Sequence, residues 1–237
     1  MIEITDEHIK DGQLDKEALA KVKLHYSYSK EGQTIFDADD VIVFNCCSLS
    51  SIENSVFKIP VKFHKCHSLI SLKGSSFERD AKFIRCHSLN SVAGVAFRTP
   101  HGRSSYSVVT FDDCDGLTSL NGAVFDARIY FENCDFLTSL EDAVFYQNVC
   151  FKHCKLLASV ASARFGKEVK FLWCESIISV AGAVFKDEVT FGYCDSLASV
   201  AGATFNDDVS FVKCKSLELP DLGLFKRNVQ IIREEIK

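Results

Sequence analysis

The chain has 237 residues, 47% of them hydrophobic, and a formal net charge of -5. That balance argues against nucleic acid as the main partner, because a polyanion needs a clustered basic surface. No apolar run approaches the roughly 18 residues that cross a bilayer. The start, Met1 to His8, also lacks the basic-then-apolar order of a cleavable secretory signal, so a cytoplasmic, reducing location without membrane insertion is expected.

Residues 1–40 lie outside any repeat and are expected to form an N-terminal cap. Thr5–Lys10 and Leu14–Ala20 carry acidic residues early, as short helical turns prefer. Val22 and Leu24 then alternate with polar residues about one period ahead of Val41 and Val43, which suggests a degenerate first coil.

Residues 41–228 repeat the pattern V-x-F-x-x-C-x-S-L-x-S-V-x-G-A-x-F-x-x-x nine times. The third position is read as Val43 and then Phe63, Phe83, Phe111, Phe131, Phe151, Phe171, Phe191 and Phe211. A period of this length marks a stacked repeat protein, whose coils touch only their neighbours. Twenty residues leave no room for a strand and an ordinary helix, so each coil is expected to be a short strand, turns and a return segment. Val and Phe at positions one and three alternate with variable residues, as a half-buried strand does. Leu at nine, Val or Leu at twelve, Ala at fifteen and Phe at seventeen are expected to point inward. Gly at fourteen suits a turn of positive φ.

The sixth position is cysteine in every copy: Cys46, Cys66, Cys86, Cys114, Cys134, Cys154, Cys174, Cys194 and Cys214. With Cys47 and Cys150 the total is eleven, an odd number, and no C-x-x-C occurs. A ladder with one thiol per coil supplies a line of sulfurs, whereas a zinc site needs ligands converging on one point. The ladder is therefore read as structural, with no metal and no cofactor expected, and the serines at eight and eleven as turn caps. One copy is eight residues longer, with Pro, Gly and Ser marking a surface loop at 98–108. Residues 229–237 are expected to cap the C-terminal end.

The stretch Ile129 to Phe145, with Cys134, Leu137 and Leu140 at the matching places, resembles a leucine-rich repeat, whose defining segment is L-x-L-x-x-N/C-x-x-L. The wording F-x-x-C-x-S-L-x-S-V is also similar to BspA-type leucine-rich repeats. The resemblance covers residues 41 to about 228, departing in its use of Phe and Val and in its short unit. It implies a solenoid with one parallel β-sheet; a parallel β-helix is the alternative fold. The first form puts the strand at Val-x-Phe and the second at Ser-Leu-x-Ser-Val. Val-x-Phe is favoured because its flanking positions vary from copy to copy. The resemblance further implies a non-enzymatic scaffold that binds another protein, including host-directed bacterial effectors.

The outward positions two, four and five are the candidate binding face. They give basic residues early (Lys62, His64, Lys65, Lys82, Arg85), acidic ones in the middle (Asp112, Asp113 and Glu132, beside Tyr130) and apolar or aromatic ones late (Leu172, Trp173, Tyr193, Val212). Interface energy concentrates in Trp, Tyr and Arg, so Trp173 is the expected anchor. The competing reading is a parallel β-helix enzyme acting on acidic polysaccharide through Asp112, Asp113 and Glu132 with Arg85.

Overall fold

The computed structural model describes residues 1–22, 26–37, 40–100, 106–218 and 222–233. The chain is a mainly-β parallel solenoid of about nine coils of about twenty residues. Among the described residues a single α-helix occurs, Lys16–Lys21. The backbone divides into two compact units, Met1–Leu117 with Asp126–Arg128, and Thr118–Phe125 with Ile129–Lys237.

Each coil contributes a long strand at positions one to four and a short strand at sixteen and seventeen. In the first unit the long strands Ile2–Ile4, Ile42–Phe44, Val61–His64, Ala81–Ile84 and Val108–Asp112 pair in parallel. In the second unit the same holds for the strand Arg128–Glu132, paired from Ile129 onward, and for Val149–Lys152, Val169–Leu172, Val189–Gly192, Val209–Val212 and Val229–Ile232. The favoured Val-x-Phe segment is thus the main strand. The Ser-Leu-x-Ser-Val segment contributes single parallel bridges, such as Ser159 to Ser179. The return segment is extended and builds a second parallel sheet, for example Val144–Phe145, Arg164–Phe165, Val184–Phe185 and Thr204–Phe205.

Phenylalanine fills the interior because parallel strands repeat at about 4.8 Å, a spacing at which identical rings stack with an offset. In the second unit Phe151, Phe171 and Phe191 lie 5.2 Å apart, ring centre to ring centre. The column from the short strands, Phe165, Phe185 and Phe205, meets the first edge-on, as Phe185 does Phe191 at 5.9 Å. The first unit repeats this with Phe63 and Phe83 stacked at 5.0 Å and Phe77 edge-on to Phe83 at 5.6 Å.

The ladder cysteines pack beside these columns as free thiols, all buried except Cys214, which is half-buried at the last turn. Along the ladder the thiols donate weakly to carbonyls of the coil before, as Cys114 does to Phe83 at 3.4 Å and Cys194 to Phe171 at 3.5 Å. The serine at eleven does cap its turn, the Lys73, Ala93 and Ala181 amides donating to Ser71, Ser91 and Ser179.

Two expectations are corrected. In the first full coil Ile42 and Phe44, not Val41 and Val43, align with Val61 and Phe63. Only Asn45 separates Phe44 from Cys46, where later coils have two residues, and a one-residue slip exchanges the faces of a strand. The preceding long strand is Ile2–Ile4, parallel to Ile42–Phe44, rather than the Val22 segment; Leu24 lies outside the described residues. Tyr26–Tyr28 instead forms an antiparallel hairpin with Thr34–Phe36. Residues 101–105 of the long loop also lie outside the described residues.

Candidate functional site

The turn after each long strand decides where the fifth side chain goes. Lys65, Arg85, Asp113, His153, Trp173, Tyr193 and Lys213 all hold φ between 55° and 56°, the left-handed region that bulky residues seldom enter. Tertiary hydrogen bonds hold them there: the Lys65, Trp173 and Tyr193 amides donate to Ile84, Gly192 and Val212 of the next coil at 2.8–2.9 Å. The fifth position is therefore a corner, separate from the stripe formed by positions two and four.

On the long-strand face of the first unit, position two carries Val43, Lys62, Lys82 and Thr110 in direct register. Lys62 is half-buried and Lys82 exposed. They line a cavity of about 430 Å³ together with the apolar Met1, Val41, Val43 and Pro60 and the acidic Asp80. Sequence reasoning missed Val41 and Val43 because it read them as inward; the short Phe44-Asn45-Cys46 spacing was the available signal. Lys65 and Arg85 stand exposed at the corner. Arg85 Nε lies 3.4 Å from Asp113 Oδ2, and His87 Nδ1 is 4.0 Å from both Asp113 and Asp115. Asp112 lies across from Ile84 in the sheet register.

In the second unit, position two carries Tyr130, Cys150, Lys170 and Thr190. Tyr130 is 38% exposed. Lys170 pairs with Glu168 at 2.7 Å, and that bond raises its pKa. Position four carries Glu132, Lys152, Leu172 and Gly192.

Leu172, Trp173 and Tyr193 do not form the exposed anchor expected of them; all three are half-buried. Leu172 leans over Gly192, where an added Cβ would come within 2.9 Å of its Cδ2. Trp173 is stacked between His153 at 4.8 Å and Tyr193 at 5.0 Å, and Lys213 Nζ covers the far side of Tyr193 at 5.4 Å. Both faces of the indole are thus covered by neighbouring rings. The more exposed large apolar or aromatic side chains of this unit include Phe136 (52%), Leu156 (47%) and Ile178 (60%), at positions eight and ten, along with Val124 and Tyr146. Serine gives way to Phe136 and Leu156 at position eight in two consecutive coils, a sequence signal that went unused.

No helix among the described residues is long and apolar enough to cross a membrane. Compared with family models, curated proteins and solved structures, the chain matches none.

Proposed function

We propose that the chain is a non-enzymatic scaffold that binds another protein on the long-strand face of its first unit. The observation that carries this is the pairing of Lys62 with Lys82 directly across adjacent strands, beside an apolar cavity. Like charges placed opposite each other destabilise a sheet, so the fold alone gains nothing from the arrangement. An acidic partner that inserts an apolar side chain among Met1, Val41, Val43 and Pro60 relieves the repulsion and buries the patch.

In its narrower form the proposal takes up the leucine-rich-repeat resemblance and a reducing cytoplasm, which the free cysteines support, with a host-directed bacterial effector as the specific role. Nucleic acid is disfavoured by the net charge of -5.

The test is quantitative cross-linking to proteins that bind the wild-type chain, followed by kinetics with the purified partner. Lys62→Glu with Lys82→Glu should slow association and flatten its salt dependence, and Val43→Asp should speed dissociation. A partner that binds both variants with wild-type kinetics would refute the assignment of this face.

A further inference from the structure

The seventh residue of the repeat follows the buried cysteine and recurs once per coil along one corner. In the second unit this column is charged, Asp135, Lys155, Glu175, Asp195 and Lys215, and two neighbouring pairs neutralise each other: Lys155 meets Asp135 at 2.8 Å and Lys215 meets Asp195 at 2.7 Å. In the first unit the column reads Cys47, His67, His87 and Asp115, all side chains able to bind metal. The left-handed turn at position five brings Asp113 to the same place. His87 Nδ1 lies 4.0 Å from Asp113 Oδ1 and 4.0 Å from Asp115 Oδ2, and the ligand atoms of the three residues all lie within 4.8 Å of one another.

We propose that His87, Asp113 and Asp115 form a binding site for a divalent cation of the zinc class. The donor set selects the class: calcium and magnesium take oxygen ligands throughout, whereas an imidazole beside carboxylates suits zinc and its first-row neighbours. Bonds of about 2.0–2.2 Å in a tetrahedron put ligand atoms roughly 3.3 Å apart. The 4.0 Å separations from His87 therefore need to close by about 0.7 Å, and the distance between the two carboxylates, which is no more than 4.8 Å, by at most about 1.5 Å. Side chains that are 36–39% exposed can do this by small torsional changes.

Three neighbours orient the ligands, as the residues behind a metal site commonly do. Arg85 holds Oδ2 of Asp113, leaving Oδ1 toward His87. The His67 ring stacks on His87 with ring centres 5.1 Å apart and planes within 5° of parallel, and so sets its plane. Gly116 lets the Asp115 turn close onto the coil below, since a Cβ there would run into the His87 carbonyl and lie 2.9 Å from the Ser88 carbonyl carbon. Three protein ligands on an exposed corner leave the remaining coordination position to water, so the site exchanges its metal readily.

The experiment is calorimetric titration of the metal-stripped full chain with Zn²⁺, with Co²⁺ absorption as a spectroscopic check on coordination. Wild type should take up one equivalent. His87→Ala and Asp115→Asn should each weaken binding at least about tenfold, the least that losing a supporting residue costs a metal site. Cys47→Ser and His153→Ala should leave it unchanged. If circular dichroism shows that His87→Ala fails to fold, His87→Gln and Asp113→Asn serve in its place. No saturable uptake below about millimolar Zn²⁺, or undiminished affinity in the His87 variant, would overturn the proposal. Affinity that follows Cys47 would overturn it too, by moving the metal to the thiol.

Discussion

Replacing Phe191 by alanine probes the aromatic interior where it is most regular. Phe191 is fully buried, stacked on Phe171 at 5.2 Å and Phe211 at 5.5 Å, with Phe185 edge-on at 5.9 Å. Returning a phenyl group to water costs about 2 kcal/mol. The space it leaves, about 80 Å³ at roughly 24 cal/mol per Å³, costs about 2 kcal/mol more, because the flanking rings are tied to their own coils and relax little. The expected loss is thus about 4 kcal/mol, against less than about 0.5 kcal/mol for Thr190→Ala on the outward face. Urea unfolding supplies the total. Hydrogen exchange supplies its distribution, which matters because long repeat arrays depart from two-state behaviour. Amides of Val169–Leu172, Val189–Gly192 and Val209–Val212 should lose protection before those of the first unit. A total below about 1 kcal/mol, or a uniform loss of protection, would refute the stacked-core reasoning.

Ser162 occupies the turn position that is glycine in Gly182 and Gly202, yet keeps φ at 57°; Ser162→Gly should therefore raise stability by about 0.5–1 kcal/mol in urea melts, strain relief exceeding the entropy of glycine. Thiol labelling of the native chain at neutral pH should reach exposed Cys47 first. Burial, chiefly, pushes the Cys150 thiol up, so its reactive thiolate should appear only at higher pH than for an ordinary cysteine. With its folded-state pKa above the unfolded value, Cys150 also contributes stability that is fully present below the ordinary thiol range and lost as pH rises above that range, through the raised folded-state pKa; pH-dependent melts of wild type and Cys150→Ala should converge in alkali. Trp173 is the single tryptophan, so Tyr193→Ala should red-shift the emission and admit acrylamide by uncovering one indole face; unchanged quenching would contradict the stacked corner.

Much of this fold is legible in the residue order. A cysteine and two aromatic positions recurring every twenty residues can be buried only if the coils stack, so the parallel solenoid, the inward Phe columns and the main strand at Val-x-Phe followed from the period. The first coil was misread because pattern matching aligned its cysteine and ignored the single residue between Phe44 and Cys46. That shift turned Val41 and Val43 outward and created the apolar edge of the Lys62–Lys82 cavity. The anchor at Trp173 was misjudged for a different reason. A residue's exposure at a corner depends on the residues one coil above and below it, and here His153 and Tyr193 supply rings that cover both faces.

The division between sequence and structure follows from the geometry of stacking. Along one coil, alternation and turn chemistry are local, and the residue order alone determines which side chains face the core. Between coils, neighbours are twenty or more residues apart, and their approach depends on backbone hydrogen bonds from one coil to the next. His87 and Asp115 are 28 residues apart in the chain, separated by the long loop. They meet because the amide of Arg85 donates to the carbonyl of Asp112, which locks the two corners together whatever the loop does. Contacts of that kind belong to the folded chain: closing them costs entropy that only the assembled stack recovers.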